Sequence, residues 1–140
     1  MIVLDTNVLS AVMRREPDPI VVAWLDRQPS ESVWTTAVTV FEIRFGLEAL
    51  AAGRRRRQLE DAFTRTIAED FQGRVFPFDE DAAREAASRA AERREAGKPV
   101  DFRDIEIAGI VSAKRATLAT RNVRHFADLR IGLVDSWAKR

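Results

Sequence analysis

Short apolar runs alternate along the whole chain with segments whose apolar residues recur at helical spacing. The first run, Ile2–Leu4, is continuous rather than alternating, which predicts a short strand buried on both faces. Four more strands are predicted on the same kind of signal, at 32–36, 74–78, 116–120 and 132–135. Apolar residues three or four positions apart predict helices over 6–14, 20–27, 38–52, 54–70, 80–96 and 102–114, with a short helical turn at 122–126.

The alternation of strands and helices favours one fold class. Such a pattern is typical of a parallel sheet whose two faces are both covered by helices. A chain of 140 residues fits a single domain, and no linker, repeat or low-complexity tract divides it. We therefore expect one α/β domain over residues 1–140, a three-layer α/β/α arrangement with a parallel central sheet of about five short strands.

The composition excludes several kinds of chemistry. The chain has no cysteine, which rules out disulfides, a thiolate nucleophile and a Cys-based zinc site. Its single histidine, His125, cannot form a His-rich metal site or an obvious hydrolase triad. No apolar run approaches the roughly 18 residues of a membrane span, and Asp5 interrupts the first run too early for a signal peptide. We expect a cytoplasmic protein with no membrane partner.

The charge distribution leaves a nucleic-acid role open. The formal net charge is only +1, but four consecutive arginines occupy 54–57 and further basic residues follow along 84–98. Such clusters can bind a polyanion. Acidic residues are interspersed with them, as on many solvated helix faces, so charge alone does not decide the matter.

Four polar residues stand where an apolar run meets a turn or a helix start. They are Asp5, Glu42, Asp104 and Asn122. The carboxyl ends of parallel strands are where an α/β fold places its ligands and chemistry. Carboxylates gathered at such an edge repel one another, and a hard cation such as Mg²⁺ or Mn²⁺ would hold them together. The sequence therefore predicts that carboxylates are the main chemical groups of this protein.

Each of these positions also has a purely structural interpretation. Asp5 and Asn122 can be helix caps. Glu42 can be a first-turn carboxylate that the helix dipole stabilises. Asp104 occupies the third position after an Asp101 cap, where an acid can bond back to the cap's amide. No single position decides between the two interpretations, but the four together favour a site.

Several segments, in order and spanning nearly the whole chain, carry a family resemblance. They are 2–10 (Ile-Val-Leu-Asp-Thr-Asn-Val-Leu-Ser), 36–46 around Glu42, 73–79, 97–108 including Asp104, and 120–126 (Thr-Arg-Asn-Val-Arg-His-Phe). In these segments the chain resembles the PIN-domain family, in particular the VapC-like toxins of bacterial toxin–antitoxin modules and their FitB-like branch.

The resemblance implies an activity and a set of site residues. The activity is that of a Mg²⁺- or Mn²⁺-dependent endoribonuclease, a toxin of a type II toxin–antitoxin module. Asp5, Glu42 and Asp104 correspond to the family's core acids, with Asp5 and Asp104 as metal ligands. Asn122 falls where a fourth acid is often found, and its amide would bring no charge. Thr6 and Thr120 resemble the hydroxyl residues that steady the site.

The resemblance also implies partners. These are an RNA substrate, a cognate antitoxin that inhibits the enzyme, a second copy of the chain in a homodimer, and operator DNA reached only through the antitoxin. Trp24 and the apolar positions of 37–50 are the candidates for a dimer or antitoxin surface. The sequence assigns no residue to base recognition.

Two other functions remain open on the residues alone. An aspartyl-phosphate-type phosphatase also begins with an aspartate after its first strand, but it usually has a second aspartate two residues later, where this chain has Asn7. The other alternative is a non-catalytic α/β interaction module in which the acids are only helix caps.

Overall fold

The computed structural model describes residues 1–138 and contains a five-stranded sheet with helices packed on both faces. The strands are β1 (Ile2–Leu4), β2 (Val33–Thr36), β3 (Val75–Phe76), β4 (Thr117–Ala119) and β5 (Gly132–Val134). The helices are α1 (Thr6–Met13), α2 (Pro19–Asp26), α3 (Ala37–Glu48), α4 (Arg54–Arg65), α5 (Glu80–Glu95), α6 (Phe102–Ala113) and α7 (Val123–Phe126). A 3₁₀ turn (Ser30–Ser32) precedes β2, and a π-helical turn (Thr66–Asp70) follows α4.

The strand order places the first strand at the centre of the sheet. The order is β3-β2-β1-β4-β5, and every pairing is parallel. Val3 in β1 is opposite Trp34 in β2 and Leu118 in β4. The chain first builds the sheet outward on one side of β1 and then on the other, so the order reverses between β1 and β4. Ligands of open α/β sheets bind outside the carboxyl ends of the strands at such a reversal.

The two faces of the sheet bury separate cores. Val3 and Leu118 contribute to one core, together with Ile107 of α6. Leu4, next to Val3 in β1, points to the opposite core with Phe63 of α4. Successive side chains of a strand alternate between faces, so a continuous apolar run supplies both cores. The predicted three-layer α/β/α fold with a parallel sheet is confirmed.

Helices α5 and α6 pack unusually closely because one of them carries a glycine at the contact. A Cβ added at Gly109 would lie 2.4 Å from the carbonyl oxygen of Ala82 and 2.8 Å from the Cβ of Ala86. The alanine-rich face of α5 therefore lies directly against the backbone of α6. This packing fixes α6, whose first turn carries Asp104.

Three expectations from the sequence are wrong in detail. The helix predicted over 38–52 ends four residues earlier, at position 48. The helix predicted over 54–70 is α-helical only to Arg65 and ends in the π-helical turn, where the amide of Phe71 donates to the carbonyl of Thr66. Trp24 was a candidate surface residue, but it is 3% exposed and belongs to the core. Its side chain points inward because Trp24 lies on the same buried face of α2 as Val21.

Two aromatic residues of α3 are exposed, and the contact surface predicted over 37–50 stays a prediction. Phe41 and Phe45 are 60% and 66% exposed, and their ring centroids are 6.2 Å apart.

Within residues 1–138, none of the helices combines the length and apolar character needed to cross a membrane.

Candidate functional site

Asp5 is both a helix cap and the most buried acid at this edge of the sheet. It follows β1 and its Oδ1 accepts a hydrogen bond of 2.8 Å from the amide of Thr6, at the start of α1. Its Oδ2 accepts a hydrogen bond of 2.7 Å from the hydroxyl of Thr120, beyond β4. Burial raises the pKa of Asp5, and these two hydrogen bonds partly oppose the increase. The capping interpretation is therefore correct, but it accounts for only one carboxylate oxygen.

Glu42 lies on the inner side of α3, one turn further along than the sequence suggested. The helix begins at Ala37 and is capped by Thr36, so Glu42 is beyond the first turn and the dipole interpretation is wrong. Its Oε1 accepts a hydrogen bond of 3.0 Å from the hydroxyl of Thr6, and its Oε2 lies 3.5 Å from Nη1 of Arg103. Burial raises the pKa of Glu42 most, and the charge of Asp5 raises it further.

Thr6 connects the first two acids. Its backbone amide binds the carboxylate of Asp5, and its side-chain hydroxyl binds that of Glu42. One residue at the start of α1 thus fixes the position of an acid on β1 and of another on α3. The supporting role of Thr6 in a functional site stays a prediction.

Asp104 faces the same edge from the first turn of α6. The N-cap of this helix is Asp101, whose Oδ1 accepts hydrogen bonds from the amides of Arg103 and Asp104 at 3.0 and 3.3 Å. The side chain of Asp104 is 26% exposed, and its Oδ2 lies 4.0 Å from Nδ1 of His125. Burial, followed by the charges of Asp101 and Asp5, raises the pKa of Asp104 to about 6. An elevated pKa of this kind is frequent in functional sites.

Asn122 is tied to the site through its backbone. It occupies the N-cap position of α7, but its side chain makes no capping hydrogen bond within residues 1–138. Its amide donates a hydrogen bond of 3.0 Å to the hydroxyl of Thr120, which in turn donates to Asp5. The interpretation of Asn122 as a side-chain cap is therefore wrong. Thr120 joins Asp5 to the segment that carries Asn122.

Two residues of this region, Thr39 and Arg103, were not predicted from the sequence. Thr39 is fully buried, with its hydroxyl 3.2 Å from that of Thr6, and it precedes Glu42 by three residues on α3. That spacing on one helix face was the available signal. Arg103 is 59% exposed in its side chain and brings a positive charge to Glu42.

The donor chemistry of the site fits a hard divalent cation. Within the part of the chain that the structure describes, no three Asp, Glu or His side chains are close enough to form a ready-made ligand set. Asp5 and Asp104 nevertheless interact electrostatically, and each is destabilised in its charged form. Mg²⁺ keeps several of its waters and usually takes one or two carboxylates. A cation between Asp5 and Asp104 would relieve their repulsion and needs no third protein ligand.

Comparison with known proteins finds a family and several relatives that match nearly the whole chain. The family described as PIN domain matches residues 2–131. The VapC ribonuclease Y4jK of Sinorhizobium fredii (strain NBRC 101917 / NGR234) is 39% identical over 137 residues, which are 98% of this chain and 98% of that protein. Toxin FitB of Neisseria gonorrhoeae (strain ATCC 700825 / FA 1090) is 35% identical over 137 residues, 98% of this chain and 99% of that protein.

A solved structure agrees with this chain over its full length. It is the structure of FitAB bound to an IR36 DNA fragment. The TM-score is 0.90 at 34% sequence identity, and the alignment covers 100% of this chain and 98% of that chain. The similarity therefore extends over all the elements that form the candidate site.

Proposed function

The chain belongs to the PIN-domain family, and from this premise we propose that it is a metal-dependent endoribonuclease, the toxin of a type II toxin–antitoxin module. It would hydrolyse phosphodiester bonds of RNA with Mg²⁺ or Mn²⁺ as cofactor. The similar VapC ribonuclease and toxin FitB support both parts of the proposal.

One observation carries the catalytic proposal. Asp5, Glu42 and Asp104 come from three separate elements, and all three have pKa values raised by burial at the carboxyl edge of the sheet. Isolated surface caps have no reason to be grouped in this way. An interaction module would have no use for three carboxylates whose charged forms are disfavoured by burial, whereas a cation site would.

The roles of the residues follow from their contacts. Asp5 and Asp104 would hold the cation. Glu42 would bring a third negative charge to the site and accept a proton from the attacking water. Mg²⁺ or Mn²⁺, when bound, would neutralise charge at the scissile phosphate and make the attacking water more acidic. Thr6 and Thr120 hold the carboxylates in place. Asn122 would offer an amide oxygen without adding charge.

The proposed partners follow from the same relatives. We propose a cognate antitoxin that inhibits this chain and through which alone it would reach operator DNA. The solved structure of FitAB bound to a DNA fragment supports the antitoxin partner. We also propose a homodimer, a cytoplasmic location, and a single domain formed by residues 1–140. The exposed Phe41 and Phe45 are the best candidates for the dimer or antitoxin surface.

The direct test is RNA cleavage by the purified protein, free of its antitoxin. Structured and single-stranded RNA, single-stranded DNA and p-nitrophenyl phosphate would be incubated with the protein in Mg²⁺, in Mn²⁺ and in EDTA. We expect internal cleavage of RNA that EDTA stops and added metal restores. Hydrolysis of p-nitrophenyl phosphate without RNA cleavage would favour a phosphatase. No hydrolysis of any substrate would favour the interaction module.

A further inference from the structure

We propose that Thr39 is a positioning residue, whose buried hydroxyl holds Thr6 in the orientation in which Thr6 holds Glu42. The inference rests on the proposed function, because the acids it positions are those of the proposed nuclease site. None of the sequence motifs assigned a role to Thr39.

The contacts form a chain of three polar side chains. Oγ1 of Thr39 lies 3.2 Å from Oγ1 of Thr6, and Oγ1 of Thr6 lies 3.0 Å from Oε1 of Glu42. Thr39 has no solvent exposure, so water does not compete for its hydroxyl. A buried hydroxyl that lost its partner would incur a desolvation cost.

The number of protons fixes the direction of these hydrogen bonds. A threonine hydroxyl has one proton to donate and two lone pairs to accept with, whereas an ionised carboxylate only accepts. The hydroxyl of Thr6 must therefore donate its one proton to the hydrogen bond with Glu42. The contact between the two hydroxyls is then a hydrogen bond only if Thr39 donates to Thr6.

The local structure holds Thr39 rigidly. Its backbone amide is fixed in place because it donates a hydrogen bond of 3.1 Å to the hydroxyl of Thr36, the cap of α3. Thr39 and Glu42 lie three positions apart, and residues at this spacing are neighbours on one helix face. Thr6 is thereby clamped between two side chains of the same helix.

The clamp has a consequence for both acids on either side of Thr6. The amide of Thr6 binds Asp5 while its hydroxyl binds Glu42. A rotation of the Thr6 side chain would release Glu42 and so change the spacing of the two carboxylates. Catalytic groups need to be held close to their productive geometry. Removing the donor at Thr39 is expected to lower turnover rather than substrate binding, because Thr39 is buried and cannot touch RNA.

The test compares two substitutions at Thr39 with one at a matched position. Thr39→Val keeps the shape of the side chain and removes the hydroxyl, whereas Thr39→Ser keeps the hydroxyl and removes a methyl group. The control is Thr35→Val, because Thr35 is equally buried and its hydroxyl has no hydrogen-bond partner within residues 1–138. The measurements are kcat and KM for RNA cleavage and the melting temperature of each variant.

We expect Thr39→Val to lower kcat by about 10- to 100-fold, the usual effect of losing an outer residue that orients the functional side chains of a metal site, with KM unchanged. Thr39→Ser should restore most of the activity, and Thr35→Val should match the wild type. Equal activity of Thr39→Val and Thr35→Val would overturn the proposal. An equal loss in Thr39→Ser and Thr39→Val would also overturn it, because packing rather than the hydroxyl would then matter.

A second measurement separates this inference from the proposed function. If the wild-type protein cleaves no RNA, the proposed function fails, and crystal structures of the wild type and Thr39→Val then test the positioning by itself. We expect the Glu42 carboxylate to move away from Thr6 in the variant. An unchanged contact between Thr6 and Glu42 would contradict the role of Thr39 whatever the reaction is.

Discussion

The hydroxyl of Thr120 lies 2.7 Å from Oδ2 of Asp5, although 115 positions separate the two residues in the chain. They meet because β1 and β4 are neighbours in the sheet and both residues follow the carboxyl ends of their strands. The same hydroxyl accepts a hydrogen bond from the backbone amide of Asn122. The start and the last third of the chain are therefore joined at the point where the strand order reverses.

Asp104→Asn is expected to abolish RNA cleavage and to leave the fold intact. The substitution removes a proposed metal ligand's charge and almost no volume, and the helix cap is supplied by Asp101 rather than by Asp104. RNA cleavage and circular dichroism would be measured side by side. The matched control is Glu106→Gln, two residues further along α6, which should keep normal activity. Full activity of Asp104→Asn would remove Asp104 from the site.

The elevated pKa of Asp104 predicts a pH dependence of stability in the metal-free protein. The pKa is about 6 in the folded state against an ordinary value of 3.8, so the charged carboxylate lowers the free energy of unfolding above about pH 6. As the pH falls from about 6 to about 4, the folded state takes up the proton first and this destabilisation disappears.

Melting curves in EDTA would measure this effect for the wild type and for Asp104→Asn. The variant should be the more stable of the two at pH 7, and the difference should vanish near pH 4. Using the difference between the two proteins cancels the contributions of other acids, such as Asp128, whose pKa is lowered by the hydrogen bond from Arg93. A difference that does not change with pH would show that burial does not destabilise the Asp104 carboxylate.

Glu42→Gln is expected to stop RNA cleavage without unfolding the protein. The amide oxygen of glutamine can still accept the hydroxyl of Thr6, but the charge that faces Arg103 and the proton-accepting group are lost. Glu48→Gln, on the same helix but exposed, is the control and should remain active. An unfolded Glu42→Gln protein whose folded fraction remained active would mean that Glu42 is structural.

Asn122→Asp is expected to tighten the binding of Mg²⁺ or Mn²⁺ and to lower the stability of the metal-free protein. Asn122 is linked to Asp5 through Thr120, so a carboxylate there would add attraction for the cation and repulsion in its absence. Calorimetric titration with each metal and a melt in EDTA would measure the two effects. If neither changed, the side chain of residue 122 would lie outside the cation site.

Replacing Phe41 and Phe45 together by alanine is expected to convert a homodimer to monomers. The two rings are largely exposed and stacked, so their removal should cost little folding stability and much contact area between chains. Light scattering at micromolar concentration would give the masses of the wild type and the double variant. A dimer mass for both would place the dimer contact elsewhere, and a monomer mass for the wild type would argue against an obligate dimer.

The elements were predictable from the sequence because their signals are local. The continuous run Ile2–Leu4 indicated a strand buried on both faces, and the structure distributes its side chains between the two cores. Asp101 as a helix cap was predictable for the same reason, since it satisfies amides two and three residues away. The change from α- to π-helix after Arg65 carried no comparable signal.

The sequence by itself determined the strands, the helices and three polar positions at their ends, Asp5, Asp104 and Asn122, because burial period and capping depend on residues within a few positions of one another. The tertiary structure alone decided which of these positions meet. The strand order brings Thr120 to Asp5, and the packing of α3 against α1 brings Glu42 and Thr39 to Thr6. It also buried Trp24 and left Phe41 exposed. These outcomes depend on contacts between distant parts of the chain, which leave no periodic trace in the sequence.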